Sequence, residues 1–261
     1  MQPACTMQDE DVGAAVPRRF TSVARLYGDA ALQRLQAAHV CVVGLGGVGS
    51  WAAEALARSG VGTLTLVDLD HVAESNINRQ VQALDATLGQ AKIDAMAERI
   101  ASIHAATRVH RIDDFLTPDN AAELLASSDA ELVLDCVDMA RAKIAMAVEC
   151  RAQGRTLIMS GGAGGKRDPR CIEVADLSRT TQDPLLARVR RSLRAEHGFP
   201  RDPKRRFGIE AVFSTEPLTR ARDQQGGGLA CAGYGSAVVM TASFGLFMVG
   251  RALEALLASS A

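Results

Sequence analysis

The chain has 261 residues, enough at about 150 residues per domain for one large unit with a well-buried core. Hydrophobic residues make up 48% and charged residues 23%, which excludes a disordered or collagen-like chain. The 29 Lys and Arg nearly balance the 30 Asp and Glu, so a nucleic-acid partner would have to be met by a local basic patch. Cysteines at 5, 41, 136, 150, 171 and 231 form no Cys-x-x-Cys pair, which argues against a disulfide framework or structural zinc and for a reducing, cytoplasmic setting. The opening residues carry Asp9, Glu10 and Asp11 where an export signal needs a basic start and an apolar run.

Residues 1–17 read as a flexible polar tail and 18–261 as a single domain with a C-terminal substrate-binding portion. A leading helix is predicted over Asp29–Ala38, followed by a strand at His39–Val43, a glycine-rich turn, a helix at Val48–Ser59 and a strand at Thr63–Val67. The alternation continues with helices near Ala91–Ile103, Asp119–Ala126 and Met139–Gln153, and strands at Arg108–Ile112, Glu131–Asp135 and Thr156–Met159. Strands separated by helices of this length predict an α/β fold of Rossmann type, a mostly parallel sheet with helices on both faces. Beyond Ser160, the segments SGGAGGKRDPR and DQQGGGL read as flexible loops, candidate lids. Between them lie a strand Cys171–Val174, a basic helix Asp183–Glu196 and a strand Gly208–Phe213, and a helical stretch Ala232–Leu257 closes the chain. Its uncharged part, Ala237–Gly250, has 14 residues against the roughly 20 that cross a bilayer, so a buried helix and no membrane span is expected.

Gly44, Gly46 and Gly49 form G-x-G-x-x-G between the first strand and its helix, with Gly47 inside the turn. Such a turn lets phosphates approach the backbone and the unpaired N–H groups of a helix start. Asp68 closes the second strand 24 residues after Gly44, placed to accept ribose hydroxyls, with Asp70 beside it. A dinucleotide dehydrogenase is the default owner of this fingerprint, but the following LDHVAESNINRQ is not typical of hydride-transfer enzymes.

With GLGGVGS, NINRQ, GQAKIDAM and LDCVD in this order, the chain resembles the ubiquitin-activating-enzyme-like adenylyltransferases, the ThiF/MoeB type, which use ATP to turn a carboxylate into an acyl adenylate. The resemblance implies ribose binding by Asp68, phosphate contacts from Asn76, Arg79 and Lys92, and a Mg²⁺ ion held by Asp138. It further implies a homodimer in which Arg25 completes the neighbour's site. The chemistry agrees: charge develops on the α-phosphate and on departing pyrophosphate, which calls for Arg, Lys and Mg²⁺ with little proton transfer.

The resemblance runs from about Phe20 to Leu257, and RFTSVARLYG, SGGAGG, DLSRTTQDPLLARVR and VFSTEP make it most specific to a tRNA-modifying branch. That branch implies adenylation of the carboxylate of a threonylcarbamoyl group on the adenosine beside the anticodon, followed by ring closure with loss of AMP. The stretch 188–206 places Arg188, Arg190, Arg191, Arg194, Arg201, Lys204, Arg205 and Arg206 against only Glu196 and Asp202, a pattern suited to tRNA phosphates. The alternative within the family is activation of a sulfur-carrier protein's C-terminal carboxylate, with sulfur-transfer proteins as partners. Carrier-activating members commonly hold zinc with paired Cys-x-x-Cys motifs, which are missing here. A non-catalytic nucleotide-binding scaffold is the remaining alternative. Cys231 is read as a small buried residue rather than a thioester nucleophile, because ring closure by a nitrogen of the same substituent needs no thiol.

Overall fold

The computed structural model describes residues 17–202, 204–218 and 234–258. The predicted tail to residue 16, the DQQGGGL loop and Cys231 lie outside the described residues. Seven strands form one sheet in the order β3-β2-β1-β4-β5-β7-β6: β1 His39–Val43, β2 Thr63–Val67, β3 Arg108–Ile112, β4 Leu132–Asp135, β5 Thr156–Ser160, β6 Ile172–Asp176 and β7 Glu210–Ser214. Each neighbouring pair is parallel except β6 against β7. The order reverses between β1 and β4, the crevice where open α/β sheets bind ligands at the carboxyl ends of their strands.

The helices are α1 Thr21–Tyr27, α2 Asp29–Ala37, α3 Gly49–Arg58, α4 Lys92–Ile103, α5 Ala121–Ser128, α6 Ala140–Ala152, α7 Pro184–Glu196 and α8 Val238–Ala258. Central strands such as HVCVV and TLTLV are buried on both sides because both faces are covered. Val40, Val42, Leu64 and Leu66 join Leu56, Met96, Phe244 and Met248 in one core. Alternate residues Cys41, Val43 and Val133 join Leu125, Met146, Val189 and Leu193 on the opposite face. One edge is protected by the basic, exposed β3, the other by the short antiparallel β6.

Three expectations need correction. A helix before residue 29, α1, was not predicted; it is held by buried Phe20, which stands edge-on to His104 at 5.0 Å, and Gly28 at φ +96° breaks it from α2. The glycine segment after β5 is no flexible lid, since Gly161, Ala163, Gly165 and Lys166 are buried. Finally, α8 has 21 residues and is long and apolar enough to cross a membrane, so the argument from a 14-residue stretch fails. Packing carries the assignment instead: Met240, Phe244, Met248, Ala252 and Leu256 are buried, and α8 lies on α3 and the sheet.

The α3–α8 contact depends on Gly245, where a Cβ would lie 2.6 Å from the Val48 carbonyl oxygen, whereas Gly250 on the same helix faces open space. Gly245→Ala is expected to lower unfolding free energy by about 1–3 kcal/mol through overpacking. Gly250→Ala should raise it by about 0.5–1 kcal/mol through helix propensity. Urea unfolding of both variants reads the opposite signs.

Candidate active site

The turn from β1 into α3 is shaped by two glycines. Gly44 has φ +89°, and its backbone nests against Val137 and Cys136 at the end of β4. A Cβ on Gly49 would stand 1.8 Å from the Gly44 carbonyl oxygen, so the helix can begin this close to the strand only with glycine there. Nothing lies within 4 Å of a Cβ at Gly46, leaving the turn open to close approach. Over Gly47 lie Thr241 of α8 and the Cδ of Arg79, 3.0 and 3.3 Å from a Cβ placed there.

Asp68 leaves the end of β2 and is buried. One carboxylate oxygen accepts the Leu45 N–H at 2.6 Å, the other the Asp70 N–H at 2.9 Å, tying the glycine turn to the second strand. Burial pushes the Asp68 carboxyl above its ordinary value, opposed by Lys92 and these two N–H donors. Lys92, the first residue of α4, is buried with its ammonium 2.7 Å from Asp70 and 3.8 Å from Asp68. A positive charge is thereby fixed beside the Asp68 carboxylate.

Asn76 is buried and its side-chain oxygen accepts the Ala73 N–H at 3.0 Å, closing the turn that precedes Arg79. Trp51 of α3 anchors that segment by donating its indole N–H to the Arg79 carbonyl at 3.0 Å. The Arg79 guanidinium donates to the Ser75 carbonyl and the Asn78 side chain, holding the cation across the glycine turn.

Asp138 is exposed in the loop between β4 and α6, three residues beyond the buried Asp135. Behind it lies a pair that the sequence reading missed: Lys143 of α6 and Asp135, both fully buried and 2.9 Å apart. Asp135 also accepts the Val137 N–H at 3.2 Å, while its other oxygen has no hydrogen-bond partner. The Asp-x-x-Asp spacing with Lys five residues later was the visible signal, but nothing in the letters says that Lys143 points inward. Among the described residues no three His, Cys, Asp or Glu side chains cluster to hold a metal. A single exposed carboxylate suits Mg²⁺, which takes few protein ligands and shares the remainder with phosphate oxygens and water.

Arg25 is exposed on α1, which packs chiefly on α2, and is not gathered with the glycine turn of its own chain. Of the basic stretch, Arg188, Arg191, Arg201, Lys204, Arg205 and Arg206 are exposed. Arg190 instead donates to the Thr180 hydroxyl, and Arg194 donates to the Pro200 carbonyl and lies over Phe207, 5.1 Å from its ring centroid. These two arginines are partly spent on holding α7.

The fold and this arrangement define the class: the ThiF family model matches residues 20–259, and the chain belongs to the ThiF family. Among individual relatives, it is 45% identical over 245 residues to the tRNA threonylcarbamoyladenosine dehydratase of Haemophilus influenzae, covering 92% of this chain and 94% of that one. The Escherichia coli protein of the same name is 44% identical over 259 residues, covering 94% and 95%. The crystal structure of the Escherichia coli dehydratase in complex with ATP superposes with a TM-score of 0.85, covering 93% of this chain and 95% of that one at 45% identity.

Burial raises the Asp135 carboxyl above its usual range, and Lys143 opposes this. Lys143→Met is therefore expected to cost about 3–5 kcal/mol at neutral pH by leaving a buried unpaired carboxylate. A raised folded-state pKa means the penalty is present at high pH and fades as pH falls and Asp135 takes up a proton. Thermal melts of the variant and the wild type should converge on acidification.

Proposed function

We propose that this protein is an ATP-dependent, tRNA-modifying, adenylate-forming enzyme that dehydrates threonylcarbamoyladenosine next to the anticodon to its cyclic form. The observation that carries the reading is the likeness to an ATP-bound dehydratase over more than nine-tenths of both chains. It extends through the C-terminal half, where an adenylating enzyme meets its acceptor, as well as through the nucleotide half. Activation of a sulfur-carrier protein, the alternative within the family, has no comparable support in the sequence, which lacks the paired Cys-x-x-Cys motifs.

In the proposed mechanism Asp68 receives the ribose hydroxyls, and the phosphates lie along the Gly44–Gly49 turn at the start of α3. A carboxylate oxygen of the threonylcarbamoyl group attacks the α-phosphorus, and the bond to the bridging oxygen of pyrophosphate breaks. Arg79 and Lys92 are fixed cations for the charge that develops on the α-phosphate and the leaving group. Asp138 would hold Mg²⁺, which supplies charge neutralisation on the phosphates. An internal nucleophile of the same substituent then attacks the acyl carbon and expels AMP. The intramolecular step has the high effective concentration of a tethered nucleophile and needs no thiol. Overall the base loses the elements of one water, with ATP converted to AMP and pyrophosphate.

We assign tRNA backbone contacts to Arg188, Arg191, Lys204, Arg205 and Arg206, with lesser contributions from Arg190 and Arg194, which are engaged internally. A homodimer with Arg25 donated across the interface fits the exposed position of that residue. The exposed apolar side chains Leu26, Tyr27, Val239, Leu246 and Phe247 support a covered surface. A cytoplasmic location fits a tRNA substrate and the free cysteines 41, 136, 150 and 171. Sulfur-transfer proteins remain proposed partners through the family resemblance alone.

Mass spectrometry of nucleosides from tRNA bearing the threonylcarbamoyl group, incubated with protein, ATP and magnesium, tests the function. Loss of one water is expected, with Arg79→Ala lowering kcat/KM by about 10²–10³ and Asp138→Ala abolishing product. An unchanged base would refute the reading, and carrier-dependent ATP–pyrophosphate exchange would put the sulfur-carrier alternative in its place. In filter binding, Arg188→Glu with Arg191→Glu should weaken tRNA affinity and flatten its log–log salt slope by about 1 per lost phosphate contact. For the shared site, mixing Arg25→Ala with Asp138→Ala protein should restore turnover that neither variant has alone.

A further inference from the structure

Lys166 is not part of the nucleotide motif, yet it is one of the most constrained side chains in the molecule. It is 3% exposed, and its ammonium donates to three main-chain carbonyls: Gln182 at 3.1 Å, Ser214 at 3.3 Å and Glu216. These come from two pieces of chain, the entry to α7 and the stretch that ends β7 and leaves it. Gln182 has φ +52°, a left-handed conformation that a non-glycine residue adopts at a cost. Burial lowers the lysine pKa, countered by Asp183 and Glu216. An ammonium surrounded by main-chain oxygens stands where a bare monovalent cation could otherwise sit.

The segment from Gly161 to Asp168 is tied on every side around this lysine. Asp183 accepts the Gly162 N–H at 2.8 Å with one oxygen and caps α7 at the Leu186 N–H with the other. Gly161 is glycine because a Cβ would meet Asp183 at 2.2 Å. The Glu216 carboxylate accepts the N–H groups of Arg167 and Asp168 at 2.8 and 3.0 Å. At the other end, the Gly165 N–H donates to the Gly235 carbonyl at 2.9 Å, and the next residue, Ser236, accepts from the Asn78 side chain at 3.0 Å. A chain of contacts therefore runs from Lys166 through the glycine segment to Asn78, the neighbour and hydrogen-bond partner of Arg79. Beside the clamp lies a groove of about 310 Å³ lined by Gln182, Asp183, Pro184, Ala187, Arg190 and Leu218.

We infer that Lys166 is a positioning residue: its caged ammonium acts as a built-in monovalent cation that fixes the 161–165 segment as the acceptor-side wall of the active site. The inference rests on the proposed function and assigns Lys166 no contact with ATP. Losing the cation should loosen the wall that orients the activated carboxylate for ring closure and leave the nucleotide turn intact.

The test measures turnover on threonylcarbamoyl-tRNA and, separately, ATP affinity by equilibrium dialysis, each variant being held below its own melting temperature. Lys166→Met is expected to lower kcat by about tenfold or more while ATP Kd stays within about twofold. Lys166→Arg keeps the stem and charge, and so the fold, but its planar guanidinium does not match three converging carbonyls, and it should show the same split. Lys166→Gly should regain turnover in ammonium chloride and not in tetramethylammonium chloride at equal ionic strength. Wild-type kcat in the Met and Arg variants, a parallel loss of ATP binding and turnover, or an absence of ammonium-specific rescue each overturns the inference. A wild-type protein that never forms the cyclic base would instead refute the function itself.

Discussion

The site depends on one steric constraint, the contact between the Gly44 carbonyl and Gly49. With 1.8 Å available where a Cβ would stand, α3 starts directly over the end of β1. The Leu45 N–H then reaches the Asp68 carboxylate at 2.6 Å, locking the glycine turn to the end of β2. The helix is held down by α8, whose Gly245 lets the two backbones approach over Val48.

Around that turn, charge is held by rigid partners. Lys92 is braced by Asp70 and Asp68, Arg79 by the Ser75 carbonyl and Asn78, and Lys143 by Asp135. Burying such groups is costly for stability; under the proposed function the benefit is pre-organisation, since cations already in place need little rearrangement when charge moves onto phosphate oxygens. Lys143 and Asp135 lie behind the loop that carries Asp138. Lys166 is held in the same manner, with main-chain carbonyls in place of carboxylates.

The sheet was legible because its central strands are short runs rich in Val and Leu and the first turn carries glycine. The glycine turn and Asp68 lie at strand ends, where their spacing put them, and Lys92 opens α4, a position that only the resemblance singled out. Less was visible where side chains act through the backbone. Asn76 carries the family motif and closes a turn on the Ala73 N–H, a contact that spacing does not show. Arg190 and Arg194 count as positive charge in the sequence and are partly consumed by Thr180, Pro200 and Phe207. The SGGAGGK segment suggested mobility by composition, yet it is largely buried because its own Lys166 reaches the carbonyls of Gln182, Ser214 and Glu216 and its Gly162 N–H is accepted by Asp183, a long-range arrangement that no local pattern encodes. The seven-residue α1 escaped because one buried residue, Ala24, leaves no periodic signal.

The central claim is that the substrate carboxylate attacks the α-phosphorus, so that one of its oxygens leaves with AMP. Substrate tRNA carrying ¹⁸O in the threonylcarbamoyl carboxylate, turned over once with ATP, tests this by mass spectrometry of the phosphate products. The account predicts one ¹⁸O in AMP and none in pyrophosphate. Label in orthophosphate, with ADP as the nucleotide product, would show activation at the γ-phosphorus and contradict the adenylation chemistry built here on Asp68, Arg79 and Lys92.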